Sequence, residues 1–235
     1  MDENRRSQLA AVAALAEPTR LRLYEHVVRH SNPVSRDEAA AEFGLPRTTA
    51  AFHLDRLVDE GLLDVGYERR TGRTGPGAGR PSKLYRRSEC HVAVSLPERR
   101  YDLAGQLLAA AVAEAERSGD PPQAVLDLRA YQLGKDLGDT ARSAASGEDS
   151  RDAVLRVLEE HGFEPRVEAG GIALANCPFH ALAQEHAELV CGMNLRLLDG
   201  LLDGLARTGL TANLSPSPAR CCVRLEPVDA PRRRT

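Results

Sequence analysis

The sequence predicts a mainly α-helical protein with an α+β C-terminal domain. Helical periodicity fills most of the chain, whereas strand-like alternation is confined to residues 63–86 and to segments after residue 162. Four of the five cysteines lie in the last 59 of the 235 residues. Aromatic residues make up only 4% and Trp is absent, so we expect cores built from Ala, Leu and Val.

The composition excludes several classes of protein. No run of 18 apolar residues occurs, so we expect no membrane span. The Ala-rich stretch after Arg6 keeps a helical period, which predicts a helix and not a signal peptide. The chain is therefore predicted to be cytoplasmic, where thiols stay reduced. An odd number of cysteines then favours metal or redox chemistry over a disulfide framework.

Local signals predict four helices in the first 60 residues. Pro18 is placed at the start of the second helix, and Ser35 with Glu38 forms a capping box before the third. Gly44 separates the third helix from the fourth, and helix, glycine turn, helix is the helix-turn-helix arrangement. The predicted helices cover about 10–16, 18–31, 36–43 and 46–60.

The pattern changes to period two after Gly61. Leu63–Tyr67 alternates apolar and polar residues, which predicts a strand, and Lys83–Arg86 is expected to return antiparallel to it. Between them, residues 71–82 hold four glycines and two prolines, which predicts a long hairpin tip. Seven basic residues and no acidic residue lie between positions 69 and 87, which is typical of a face that binds a polyanion.

Helix-turn-helix followed by a β-wing predicts a winged helix over residues 1–92 that binds double-stranded DNA. The second helix of a DNA-bound helix-turn-helix enters the major groove with its N-terminal residues at base edges. We expect Arg47 to read guanine, and Phe52 or the Thr methyls to meet thymine methyl groups. The wing arginines are expected to contact phosphate or to reach into the minor groove. The alternatives are a winged helix that binds only protein, and a basic hairpin that is merely solvated. The predicted DNA contacts are Arg47, Thr48, Thr49, Phe52, His53, Arg56, Arg69, Arg70, Arg73, Arg80 and Lys83.

Residues 10–90 resemble an ArsR-type winged-helix repressor. The similarity lies in Thr48–Leu54 and Glu60–Leu63, and Gly79–Tyr85 is similar to the wing of the iron–sulfur-responsive branch of that family. The resemblance implies a DNA-binding regulator. Short-chain members of the family sense metals through ligands on helices of the DNA-binding domain, and this chain lacks cysteines there.

Residues 93–147 are predicted to form a helical connector that serves for dimerisation. One helix is expected from Ser95 to about Ser118, with an Ala-rich seam that allows a close helix approach, and a second from Asp120 to about Ser146. Two long helices beside a DNA reader favour a homodimer, because a dimer reads two half-sites about 34 Å apart. The alternative is a helical hairpin within one chain.

Residues 148–235 are predicted to form an αββαββ domain with an antiparallel sheet, which we expect to be the sensor. Alternation and turn residues place two hairpins around the second helical segment. The predicted elements are a helix over 149–161, strands over 163–168 and 171–176, helical sequence to about 206, and strands over 211–215 and 220–226.

The cysteines are predicted to be ligands of one centre. A continuous helix would separate Cys177 from Cys191 by about 21 Å along its axis. Thiolates that share one metal lie only about 4 Å apart. A shared site therefore requires a helix break at about 184–187, with a short helix over 178–185 and a long one from about 187.

The third ligand is Cys221 or Cys222. Strand alternation places Cys221 on the apolar inner face and favours it. Three cysteines fall short of a closed zinc site, and His180 and His186 are the nearest candidates for a fourth ligand. Iron–sulfur clusters are usually held by four thiolates, but an incomplete set leaves one iron exchangeable and reactive. Cys90, at the end of the wing, is expected to be structural.

Three segments, Asn176–His180, Val190–Asn194 and Cys221–Val223, together resemble the C-terminal domain of SufR-like repressors and their actinobacterial relatives. The resemblance implies a homodimeric repressor of iron–sulfur biogenesis genes. It further implies a [4Fe-4S] or [2Fe-2S] cluster held by Cys177, Cys191 and one of Cys221 and Cys222, whose state sets operator affinity. The alternative is a zinc centre or a thiol switch. An enzyme is not expected, because no third group is evident that would orient a Cys and His pair.

Overall fold

The chain folds into two compact units, Met1–Val94 and Ser95–Thr235. The computed structural model describes residues 3–68, 81–144, 149–168, 170–216 and 220–228. Both units combine helices with an antiparallel sheet, so the protein is a mixed α/β protein that is mainly helical. No helix within these ranges is long and apolar enough to cross a membrane.

The first unit contains the predicted helix-turn-helix and hairpin. Its sheet has the order β1-β3-β2, and β2 pairs antiparallel with β3 from Leu63 opposite Arg87 to Glu68 opposite Ser82. The predicted tip of the hairpin falls mostly on residues 69–80, which lie outside the described ranges. The elements are α1 (Glu3–Ala14), α2 (Pro18–Arg29), β1 (Val34–Ser35), α3 (Arg36–Phe43), α4 (Arg47–Asp59), β2 (Leu63–Glu68) and β3 (Ser82–Arg87).

Local capping fixes the ends of these helices. The predicted capping box of α3 is confirmed: Ser35 Oγ accepts from the Glu38 N–H at 3.2 Å, and the Ser35 N–H donates to Glu38 Oε2 at 2.8 Å. Gly44 ends α3 in the left-handed conformation, with φ of 63°. Strand β1 was not predicted, because two residues that pair with β3 are too short to show a periodic pattern.

The second unit contains the predicted αββαββ order, with two further helices before it. Its sheet has the order β4-β5-β7-β6, and every neighbouring pair is antiparallel. The elements are α5 (Tyr101–Ser118), α6 (Pro122–Ala144), α7 (Ser150–Glu160), β4 (Pro165–Glu168), β5 (Gly171–Leu174), α8 (His180–Glu185), α9 (Ala187–Leu205), β6 (Leu210–Leu214) and β7 (Val223–Pro227).

Helices α5 and α6 do not stand apart from this second unit. Their buried side chains, such as Leu107 and Leu126, belong to the same hydrophobic core as α7, α9 and the sheet. The predicted separate connector over 93–147 is thus replaced by a division at residue 94, with both helices inside the C-terminal unit. Their predicted role in dimerisation stays a prediction.

Helices α6 and α9 pack with their backbones in contact. A Cβ atom added to Gly134 would lie 1.9 Å from the Leu197 carbonyl oxygen, and one added to Gly204 would lie 2.3 Å from that of Lys135. Only glycine permits so close an approach. The glycines of α6 and α9 therefore provide a close helix contact that the sequence pattern of the α5 alanines does not predict.

The start of α5 differs from the prediction. The helix begins at Tyr101 instead of near Ser95, and the Leu96–Pro97 peptide bond is cis. Ser95 Oγ accepts from the Arg99 N–H at 2.8 Å, and the Arg100 N–H donates to the carbonyl oxygen of Pro178 at 3.0 Å. Residues 95–100 therefore make contacts within the C-terminal unit and do not form a first turn of α5.

Candidate functional site

The exposed face of α4 carries most of the predicted DNA-reading residues. The Arg47 side chain is 75% exposed, and its Nε atom lies 3.2 Å from Asp37 Oδ1 on α3. Phe52 is 65% exposed, although an aromatic ring of this size is normally buried. Thr48 and Arg56 are exposed as well, whereas Thr49 is half-buried. A cation, a hydroxyl group and an aromatic ring thus share one face of α4.

His53 does not lie on that face. Its side chain is only 13% exposed, and Nδ1 lies 3.5 Å from Glu17 Oε2 without forming a hydrogen bond. Glu17 itself caps α2 by accepting from the N–H groups of Thr19 and Arg20. Burial opposes ionisation of Glu17, but these backbone donors outweigh burial and lower its pKa. His53 therefore packs against the start of α2, in contrast to its predicted DNA contact.

Lys83 joins the hairpin to the recognition helix. Its Nζ atom lies 2.5 Å from Asp55 Oδ1 on α4, and the Tyr85 hydroxyl donates to the same oxygen at 2.7 Å. Burial would raise the pKa of Asp55, but these two hydrogen bonds outweigh it and hold the pKa below its ordinary value. The predicted contacts Arg69, Arg70, Arg73 and Arg80 lie outside the described residues.

The helix break required for a shared cysteine site is confirmed. Helix α8 ends at Glu185 and α9 begins at Ala187, with His186 between them at φ of −130° and ψ of 54°. The break lets Cys177, in the loop after β5, approach Cys191 on α9. Cys221 and Cys222 lie just before β7, which begins at Val223 and not at residue 220 as predicted, and this segment brings them to the same cavity.

The four cysteine side chains form a connected set. Cys177 lies close to Cys221, Cys221 to Cys222, and Cys222 to Cys191. All four line one cavity of about 640 Å³, together with His180 and other residues of α8, α9 and the last hairpin. His186 is not part of this lining. Cys90 lies in the other unit and is exposed.

The environment of Cys177, Cys191 and Cys221 favours the protonated form of these three thiols. The neighbouring Cys221 side chain, together with burial, raises the pKa of Cys177 well above that of a free thiol. Burial raises the pKa of Cys191. Cys177 lowers the pKa of Cys221, but Cys222 and burial outweigh this effect and raise it to about 12. Any metal bound here would therefore displace protons.

The thiols fit a metal by their chemistry more than by their present geometry. In the part of the chain that the structure describes, no group of three or more His, Cys, Asp or Glu side chains is arranged to hold a metal ion. The four thiols instead lie close to one another along the wall of one cavity. Soft sulfur donors in such number are nevertheless the ligands that zinc and iron–sulfur clusters take.

Asn194 is a functional candidate that the sequence argument missed. Its side chain is fully buried, and Nδ2 donates to Cys221 Sγ at 3.2 Å. Its Oδ1 atom is buried without a hydrogen-bond partner among the described residues. The spacing from Cys191 could have revealed it, since residues three apart share one face of a helix.

A second missed feature ties the Cys177 loop to the start of the C-terminal unit. Asn176 is buried and donates to the carbonyl oxygens of Glu98 at 3.0 Å and Gly162 at 2.6 Å. The Arg99 guanidinium donates to Asn176 Oδ1 and, at 3.3 Å, to the Cys177 carbonyl oxygen. No local pattern predicts the contacts with Glu98 and Arg99, because they join residues almost 80 positions apart.

The comparison with known families supports the first unit as a DNA reader. The family model described as a helix-turn-helix domain matches residues 15–66, which span α2, α3, α4 and the start of β2. No curated protein matches the chain. The chain therefore contains a helix-turn-helix domain, and this domain supports a DNA-binding transcription regulator.

Proposed function

We propose that the chain is an ArsR-type winged-helix repressor of the SufR-like branch, whose operator affinity is set by an iron–sulfur cluster. Cys177, Cys191 and Cys221 would hold the cluster, with Cys222 as the alternative third ligand. The observation that carries the proposal is the convergence of four thiols, from three separate parts of the C-terminal unit, on one cavity. Thiolates are the usual ligands of such clusters.

Each cysteine has a defined support. The loop with Cys177 is held by Asn176 and Arg99, and Cys191 lies in the first turns of α9. The Cys221 N–H donates to the Leu174 carbonyl oxygen at 3.0 Å, which anchors the last hairpin to β5. When bound, an iron–sulfur cluster would supply an oxidant-sensitive link between the Cys177 loop, α9 and the last hairpin.

The cluster would be coupled to DNA binding by the hydrogen bonds of Arg99 and the Glu98 carbonyl group to Asn176 and Cys177. We call this set of contacts the clamp on the Cys177 loop. Arg99 and the Glu98 carbonyl group belong to the first residues of the C-terminal unit, directly after the DNA-reading unit ends at Val94. A displacement of the Cys177 loop would move these residues through their hydrogen bonds. A change at the cysteine site would thereby move the segment of chain that connects it to the DNA-binding unit.

Dimerisation of the chain is part of the proposal. Val112 on α5 is 51% exposed and Leu128 on α6 is 64% exposed. Exposed apolar side chains on two adjoining helices support contact with a second copy. Two copies would present two recognition helices to two half-sites of one operator.

The test is anaerobic purification of the wild-type protein beside Cys177→Ser and Cys90→Ser. Visible absorption and assays for iron, sulfide and zinc are then measured on all three. We expect a brown wild type with iron and sulfide, a bleached Cys177→Ser protein, and a Cys90→Ser control that resembles the wild type because Cys90 lies outside the cavity. A protein that stays free of iron and sulfide after cluster reconstitution would refute the proposal.

A zinc centre or thiol switch is the second candidate. The observation that favours it is the number of thiols, since four ligands complete a tetrahedral zinc site. A colourless protein with about one zinc per chain would support structural zinc. A protein without metal whose thiols oxidise reversibly would support the thiol switch.

Control of DNA binding needs a separate measurement. The operator is first selected from random duplexes by the purified protein, and its affinity is then measured for cluster-loaded and cluster-free protein at one salt concentration. We expect the two affinities to differ. Equal affinities would contradict a regulatory role, even for a protein that binds the cluster.

A further inference from the structure

We infer that Asn194 is the positioning residue of the cysteine centre, and that its side-chain N–H group selects Cys221 over Cys222 as the third ligand. This inference rests on the proposed function, because it concerns the ligands of the proposed cluster. It adds a residue with no thiol to the centre and resolves the choice between two adjacent cysteines.

The position of Asn194 fits this role. It lies on α9 one turn after Cys191, so that both residues share one face of the helix. From there its Nδ2 atom reaches Cys221 Sγ, 27 positions further along the chain, at 3.2 Å. The side chain thus connects the element that carries one ligand to the sulfur atom of another.

A purely structural role does not explain the buried amide. Asn194 is 0% exposed and lies in a helix whose buried neighbours are apolar, among them Met193 and Leu197. Its Oδ1 atom has no hydrogen-bond partner among the described residues, which is unfavourable for a buried polar atom. Leucine has a similar size and would fill the space without leaving a polar atom unpaired. The N–H group that meets the Cys221 sulfur is the part of Asn194 that leucine cannot replace.

Cys221 is held from two directions, through its backbone and through its sulfur. Its N–H group donates to the Leu174 carbonyl oxygen at 3.0 Å, and its sulfur accepts from Asn194 at 3.2 Å. Cys221 is 5% exposed, whereas Cys222 is half-buried. A hydrogen bond to a charged sulfur is stronger than one to a neutral thiol, so the contact with Asn194 strengthens when Cys221 becomes a ligand.

The same hydrogen bond sets a measurable property. Hydrogen bonds to the sulfur ligands of an iron–sulfur cluster stabilise its more electron-rich state and so raise its reduction potential. Removal of the Asn194 donor should therefore shift the potential to more negative values. A residue that only fills space in the core would leave the potential unchanged.

The experiment compares Asn194→Leu and Asn194→Ala with the wild type and with Met193→Leu, a buried neighbour on the same helix. Cluster content and reduction potential are measured anaerobically on each protein. We expect both Asn194 variants to have a more negative potential, and Met193→Leu to match the wild type. Asn194→Ala removes the donor and adds no charge, so it tests the inference if Asn194→Leu does not fold.

Two serine variants test the choice of ligand. We expect Cys221→Ser to lose most of the iron and sulfide and Cys222→Ser to retain them. Unchanged potentials in both Asn194 variants, or retention by Cys221→Ser with loss by Cys222→Ser, would overturn the inference and leave the proposed function intact. A wild-type protein without iron and sulfide would overturn both.

Discussion

Arg47 offers the most direct test of sequence reading by α4. Its side chain projects from the first turn of the helix and is paired only at the surface with Asp37. Exchange of this weak surface ion pair for two hydrogen bonds to guanine costs little. We expect Arg47→Ala to weaken operator binding by about 1–3 kcal/mol, which is the discrimination given by one bidentate contact.

Fluorescence anisotropy with operator and random duplexes measures this loss. Arg29→Ala on α2, which removes the same charge from an exposed ion pair with Glu25, is the matched control and should have little effect. An equal loss on both duplexes would mean that Arg47 contacts phosphate and does not read a base.

Asp55 predicts a pH dependence of stability. Burial would raise its pKa, but the hydrogen bonds from Lys83 and Tyr85 prevail and lower it. A carboxyl group with a lowered pKa in the folded state stabilises the fold above its unfolded pKa of about 3.9 and loses this contribution as the pH falls through the folded value. We expect Asp55→Asn to be less stable than the wild type at pH 7, and the difference to shrink below about pH 4.

Urea denaturation of both proteins at several pH values measures this difference. Asp64→Asn on β2 removes another carboxylate, one that lies 3.7 Å from Arg86, and is the control for a loosely paired surface charge. If the deficit of Asp55→Asn is the same at pH 3 and pH 7, the ionised carboxylate is not the stabilising species.

At the scale of residues, the sequence predicts which side chains are exposed better than it predicts which groups they contact. Helical periodicity places Arg47 and Phe52 on the outer face of α4, as the structure has them. It does not predict that His53 turns towards Glu17, because this depends on how α2 packs. The pairing of Lys83 with Asp55 is likewise a tertiary contact, across 28 positions.

At the scale of elements, the contact between α6 and α9 depends on glycine. A Cβ atom at Gly134 would lie 1.9 Å from the Leu197 carbonyl oxygen, so the two helices would have to separate. We expect Gly134→Ala to lower the free energy of unfolding by roughly 1–3 kcal/mol, as overpacking does. Gly105 on α5 is the matched control, because a Cβ atom there meets nothing within 4 Å.

Gly134→Ala and Gly105→Ala should change the free energy of unfolding in opposite directions. Alanine favours the helix over glycine by up to about 1 kcal/mol, so Gly105→Ala is expected to stabilise the protein slightly. Urea denaturation of both variants beside the wild type gives the two differences. Stabilisation by Gly134→Ala would show that the helices adjust without cost.

Elements were predictable where the signal is local or where geometry demands it. The capping box at Ser35 marks the start of α3, and the distance argument between two cysteines places the break at His186. The start of α5 could not be predicted, because Arg99 and Arg100 bind groups around Cys177 that are remote in sequence. The convergence of the cysteines was predicted from the sequence, whereas the amide of Asn194 against Cys221 is visible only in the folded chain.

At the scale of the whole molecule, a variant of Arg99 should distinguish cluster binding from the effect of the cluster on operator affinity. The Arg99 guanidinium group holds Asn176 and the Cys177 carbonyl oxygen, yet it contributes no ligand. We expect Arg99→Ala to retain iron and sulfide while the difference in operator affinity between cluster-loaded and cluster-free protein becomes smaller. Arg117→Ala, at the exposed end of α5, is the control. Loss of the cluster in Arg99→Ala would mean that the clamp serves binding instead of coupling.

The oligomeric state decides whether such coupling can act on an operator. A single helix-turn-helix reads one half-site, and two copies with twofold symmetry read an inverted repeat whose halves are separated by about one helical turn of 34 Å. We expect sedimentation to give twice the mass of the 25.5 kDa chain, and footprinting to protect two equivalent half-sites.

Replacement of exposed Leu128 by Glu should dissociate the dimer and weaken operator binding, because a charge would then enter the contact between copies. Val167→Glu, at a comparably exposed site on β4, should leave the mass unchanged. A wild type that sediments as a monomer and protects a single half-site would contradict the dimer, and the sensor would then have to act on one reading head alone.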